Sequence, residues 1–167
     1  MKFNNIYDYD VAAESLWRNL FNPEMEAAMK KAADLLQWNV TTVKEGGKSV
    51  RTVKVLPSIE LPGAIKKIVG EKIGYTETDW VPLTGDMFYD WSVRSDAVGD
   101  KMTMTGIFKV ESLGENRCRR TIAGDINVKI FGVGGLLEKF MVSEMEKMYA
   151  KIAVAQEQWL KQKKAKA

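Results

Sequence analysis

The run from Leu136 to Lys163, LLEKFMVSEMEKMYAKIAVAQEQWLKQK, decides how the rest of the chain reads. Apolar residues fall at Leu137, Met141, Met145, Met148, Ile152, Ala155 and Trp159, in steps of four and three. That spacing predicts one long amphipathic helix, with Glu138, Lys139, Glu146, Lys147, Lys151 and Glu157 on its watered sides. Burying the large side chains of the stripe is worth about 1.5–3 kcal/mol each, on the order of 10 kcal/mol together. Such a helix needs a broad apolar surface to lie on. Gly132, Gly134 and Gly135, just before it, suit a hinge. A phosphate cradle would need the rest of a nucleotide fingerprint and a following strand, and neither is present.

Working back from the helix, the apolar surface is a sheet. Residues at about Tyr75–Val81, Met87–Ser95, Lys101–Ser112 and Arg117–Lys129 alternate with a period of two, and Gly85-Asp86, Gly99-Asp100 and Gly114-Glu115-Asn116 mark the turns. Met87, Tyr89, Trp91 and Val93 share one face; so do Met102, Met104, Gly106, Phe108 and Val110. One apolar face and one solvated face predict an antiparallel meander packed on one side. Trp38–Lys44 and Ser49–Leu56 flank Gly46-Gly47 and form a further hairpin. Pro62–Gly70 reads as a short amphipathic helix with Ile65, Ile68 and Val69 beside Lys66 and Lys67. At the N-terminus a strand at Phe3–Tyr9 leads to a helix from Val11 capped by Asp10. A second helix at Glu24–Leu36 follows, with Asn22 as cap and Pro23 at its first position.

The order is therefore strand, two helices, about six strands and a long helix, an α+β arrangement. Together with Leu61-Pro62-Gly63-Ala64-Ile65-Lys66-Lys67-Ile68-Val69-Gly70 and Gly132-Val133-Gly134-Gly135-Leu136-Leu137-Glu138-Lys139, it resembles the helix-grip fold of the START-like (SRPBCC, Bet v 1-like) superfamily, and within it a bacterial family of unknown function. The resemblance covers nearly the whole chain; residues 1–160 read as one domain and residues 161–167 as a Lys-rich, frayed tail. It implies a curved sheet gripping the long helix, with a cavity for an apolar ligand between them.

Composition limits the partners. Of 25 basic residues four are the tail lysines; the remaining 21 face 22 acidic ones, and a body so nearly neutral argues against nucleic acid. One cysteine, Cys118, excludes an internal disulfide and reads as a packing residue. No signal peptide or membrane span can be written, so a cytoplasmic protein is expected. The chain has no histidine and no metal-ligand spacing, so no catalytic, metal or cofactor residue is assigned.

The positive signal is methionine. Met87, Met102, Met104, Met141, Met145 and Met148, six of the nine, point to one space between sheet and helix, as an adaptable ligand lining or as filling for an irregular core. Tyr75, Tyr89, Trp80, Trp91 and Phe108 are added as aromatic lining. Arg51 shares strand parity with Val53 and Val55, and Arg120 with Cys118 and Ile122. Facing inward, each would need a carboxylate or an anionic ligand head; the residues alone favour strand ends from which the stems reach water.

The expected function is binding or carriage of a hydrophobic small molecule or lipid. The alternatives are a polyketide cyclase/aromatase-like enzyme and a protein-interaction or co-chaperone domain with a filled core. Ile65, Lys66 and Lys67, with the tail, are candidates for weak membrane-surface contact.

Overall fold

The structure, a computed structural model, describes residues 1–166. Strand β1 (Lys2–Tyr9) is followed by helices α1 (Ala13–Asn19) and α2 (Pro23–Ala32), then β2 (Leu35–Glu45), β3 (Lys48–Pro57) and the short helix α3 (Gly63–Val69). Strands β4 (Tyr75–Pro82), β5 (Phe88–Ser95), β6 (Gly99–Gly114) and β7 (Arg117–Val128) lead to α4 (Gly134–Lys166). The seven strands form one antiparallel curved sheet in the order β1-β7-β6-β5-β4-β3-β2. Helix α4 lies in its concave side, packed against α2, β7 and β1. This is the helix-grip architecture that the resemblance implied.

Local chemistry explains the elements. Gly46 and Gly47 both take positive φ, 55° and 75°, which a two-residue turn between Glu45 and Lys48 requires. Asn22 Oδ1 accepts from the Glu24 amide at 3.0 Å, and Pro23 opens α2. Asp10 does not cap α1, which starts after Ala12; its amide instead donates to Glu157 of α4 at 2.9 Å. Helix α2 stops at Ala32 because Asp34 turns into the left-handed region at φ 52°, so Leu35 and Leu36 begin β2 instead of ending a helix. Gly132, at φ 79°, makes the hinge into α4. Residues 161–166 continue that helix; Ala167 of the tail lies outside the described residues.

On the inner face, Tyr89, Trp91 and Val93 of β5 and Met102, Met104, Phe108 and Val110 of β6 are buried, as the alternation predicts. Trp91 lies over a glycine pair, Gly106 and Gly124, which face each other across β6 and β7. A Cβ at Gly106 would sit 2.4 Å from Trp91 Cζ2, and one at Gly124 would sit 2.8 Å from it. The floor under the indole must be bare. On α4 the buried row runs Leu137, Met141, Met145, Ile152, Gln156 and Leu160. Its last turns therefore differ from the predicted stripe: Gln156 and Leu160 face the core, while Ala155 and Trp159 are half-buried.

Candidate functional site

Both arginines face inward, which corrects the expectation that they reach water: Arg51 is 5% exposed and Arg120 1%. They stand on β3 and β7 and line one chamber between the sheet, α2 and α4. Its volume is about 70 Å³. The aromatic wall includes Tyr75, Tyr89, Trp91 and Phe108, with Tyr89 and Phe108 stacked at 4.7 Å between centroids. Leu20 and Phe21 close it from the α1–α2 side, Met29 and Trp38 from α2 and β2, and Met148, Tyr149 and Ile152 from α4.

The β3–β4 register builds the charged end. Arg51 is directly opposite Asp79, and its Nη1 donates to Asp79 Oδ2 at 3.3 Å. Its Nη2 pairs with the Glu26 carboxylate from α2, and the Phe21 ring lies under the guanidinium at 4.3 Å. Glu77, two residues before Asp79, shares its face. Burial, reinforced by the Asp79 charge, pushes the Glu77 carboxyl well above its ordinary value against a smaller opposing pull from Arg51. Burial also raises Asp79, while Arg51 opposes it. Asp79 Oδ1 is buried and meets no nitrogen or hydroxyl donor. Glu77 is the neighbouring carboxyl on the same strand face, and burial favours the protonated form at this end of the chamber.

At the other end Arg120 is held by neutral groups. Its Nη1 donates to Gln156 Oε1 and its Nη2 to the Tyr149 carbonyl, both at 3.0 Å. Tyr9 also donates to Gln156 Oε1, at 2.7 Å, and Gln156 Nε2 reaches Met29 Sδ at 3.4 Å. Burial raises the Tyr9, Tyr75, Tyr89 and Tyr149 hydroxyls above their ordinary range, so all four remain protonated at neutral pH. Arg120 Nε, Trp38 Nε1 and Trp91 Nε1 are buried donors with no acceptor within the protein.

Two smaller voids adjoin the chamber. One, of about 30 Å³, is bordered by Met141, Met145, Met148 and Tyr75. The other, of about 20 Å³, is bordered by the same four residues with Met104, Val93, Glu77 and Tyr149. Met148 and Tyr75 border all three spaces and divide them.

Of the sequence candidates, the structure thus brings Arg51, Tyr75, Tyr89, Trp91, Phe108, Arg120 and Met148 to the chamber, and Met104, Met141 and Met145 to its neighbours. Three stand apart. Trp80 belongs to the opposite strand parity from Tyr75 and Asp79, so it lies on the outer face. Met87 is half-buried just before β5, and Met102 is buried beside Val128 in packing outside the chamber. Ile65 is fully buried against the core and is not available to a membrane surface; Lys66 pairs with Glu71 at 3.2 Å. The thiol of Cys118 is buried and pushed up to about 11. Among the described residues no three Cys, His, Asp or Glu side chains converge as a metal ion would need, and no helix is long and apolar enough to cross a membrane.

Sequence reasoning missed Glu26, Glu77, Asp79, Tyr149 and Gln156. The signal for two of them was present: Glu77 and Asp79 alternate with Thr76, Thr78 and Trp80 and share parity with Tyr75 and Val81.

Known proteins share the fold. The family model described as "Protein of unknown function (DUF2505)" matches residues 5–160. A comparison with curated protein sequences found no match. Among solved structures, a protein from Thermus thermophilus is similar with a TM-score of 0.66 at 15% identity, over 96% of this chain and 97% of that one. The Zhui aromatase/cyclase of Streptomyces sp. R1128 is similar with a TM-score of 0.62 at 13% identity, over 96% and 93%. A START superfamily protein from Mycobacterium smegmatis is similar with a TM-score of 0.60 at 13% identity, over 96% and 97%. At these identities the likeness establishes the fold, which is that of the START/Bet v 1-like proteins.

Proposed function

We propose, for a chain that belongs to the DUF2505 family, that the space between sheet and α4 binds a hydrophobic small molecule or lipid, as a carrier or receptor. One observation carries the reading. Aromatic and methionine side chains converge on a chamber where three buried donors, on Arg120, Trp38 and Trp91, find no acceptor in the protein. Buried polar groups are nearly always hydrogen-bonded, and orphans grouped around one space call for something that fills it.

The chamber is far smaller than the roughly 300–1,000 Å³ of a site that encloses a drug-sized ligand. Two smaller voids beside it, of about 30 and 20 Å³, are also bordered by Met148, and methionine is unbranched with three rotatable bonds, so the ligand is either a small one or one that reshapes this lining. A cytoplasmic location and a single domain over residues 1–160 belong to the same reading.

Native mass spectrometry of freshly purified protein, with solvent extraction of whatever is bound, tests it. A stoichiometric apolar adduct is expected. Protein that carries none and also fails to take up a fluorescent fatty acid sinks the proposal.

A second reading has its own observation. Glu77 stands beside Asp79 at the edge of the chamber with its carboxyl raised by burial and by the Asp79 charge, and a carboxyl tuned upward suits a general acid. The likeness to an aromatase/cyclase makes an enzyme the alternative. Turnover of an extracted ligand that stops in Glu77→Gln would favour it; binding without turnover leaves the carrier.

A further inference from the structure

Arg51 and Arg120 differ in what neutralises them. Arg51 has two carboxylates, Glu26 and Asp79. Arg120 is 1% exposed and has none: among the described residues no carboxylate oxygen lies within 4.0 Å of its guanidinium. Its partners are an amide oxygen, a main-chain carbonyl and, at 5.8 Å, the Tyr9 ring. A buried guanidinium that meets only neutral acceptors recovers less of its desolvation cost than one that meets a carboxylate. Its Nε is also unused.

We infer that Arg120 receives the anionic head of the bound molecule, so that the ligand is an apolar monocarboxylate. The inference rests on the reading that the chamber binds a ligand. Nη1 and Nη2 are fixed by Gln156 and Tyr149, which orients the guanidinium plane and leaves the Nε edge free. A carboxylate accepts side-on from Nε and an adjacent Nη hydrogen, the planar two-point contact for which arginine is suited. One guanidinium balances one negative charge; a phosphate monoester, nearer to two, would be over-charged here. Two further orphans of the chamber, Trp38 Nε1 and Trp91 Nε1, are donors only and suit a molecule with acceptors, while the orphaned acceptor, Asp79 Oδ1, belongs to the Arg51 end. At the Arg51 end two of the carboxylates, Glu26 and Asp79, are already engaged by Arg51, so a cation would compete with Arg51 for them.

Calorimetry with two matched sets tests this: octanoate, 1-octanol and octylamine, and 3-phenylpropionate, 3-phenylpropanol and 3-phenylpropylamine. In any set that binds, the carboxylate is expected to bind at least about tenfold more tightly than the alcohol or amine. Arg120→Gln is expected to cut that preference below about threefold while the alcohol's affinity holds. Arg120→Lys, which keeps the charge but loses the planar fork, should retain an intermediate preference. The selectivity of the unmutated protein decides the question even where a variant fails to fold. An alcohol or amine that binds as tightly as its carboxylate, or an Arg120→Gln protein with the full preference, overturns the anion assignment and leaves ligand binding standing. If no member of either set binds and nothing co-purifies, ligand binding itself falls, and the assignment with it.

Discussion

Arg51 and Arg120 stand on the same concave face, on β3 and β7, and are about equally buried, yet they occupy opposite electrostatic conditions. Around Arg51 the fold supplies charge from two sides, Asp79 directly across the strand pair and Glu26 from α2. Around Arg120 it supplies dipoles only. The lesson is that burial alone does not separate a structural charge from a functional one. The partners do. A guanidinium compensated within the chain holds the fold together; one left uncompensated waits for an opposite charge from outside.

Breaking the compensated site should cost most. Arg51→Met leaves Glu26 and Asp79 facing an apolar chain, and a loss of about 3–5 kcal/mol in urea unfolding is expected. A loss below about 1 kcal/mol would mean that the three groups are not coupled.

Next comes Glu77, whose carboxyl is raised at the same end. Its carboxyl is raised in the folded chain above the ordinary value of 4.5, so the folded state keeps a proton that the unfolded state releases. That contribution is complete below pH 4.5 and declines as pH rises towards the folded value, with a limiting slope of about 1.4 kcal/mol per pH unit. Glu77→Gln should flatten this part of the stability–pH profile, making the variant gain on the parent between acid and neutral pH. Superimposable profiles would rule out a raised Glu77 carboxyl.

At the Arg120 end the effects are smaller. Tyr9→Phe removes the second donor on Gln156 Oε1, which Arg120 still occupies, so about 1 kcal/mol is expected from thermal or urea unfolding. Arg120→Met in ligand-free protein should lie within about 1 kcal/mol of the parent, because removing an uncompensated charge offsets the bonds lost. A penalty equal to that of Arg51→Met would erase the distinction between the two sites.

The sequence showed the fold through its periods, and the failures have physical causes. The helical spacing of Met25, Ala28, Met29 and Ala32 continues to Leu35, so no pattern announces the turn that Asp34 makes with its backbone. On α4, steps of four from Ile152 lead to Gln156 and Leu160, but a polar Gln does not look like core, so the more apolar Ala155 and Trp159 were the natural choice. The same bias put Trp80 inside and left Glu77 and Asp79 out, although strand parity links those carboxyls to Tyr75 and Val81. A partly polar interior defeats any reading that equates apolar with inward. The compensation of Arg51 was illegible for another reason: Glu26 reaches it from a helix 25 residues away in sequence.

The methionine lining bears on affinity as well as on size. Met148 borders all three voids, and Met141 and Met145 border two of them. On the proposed reading a guest would order these thioether chains, and its affinity would carry the entropy lost in fixing their torsions.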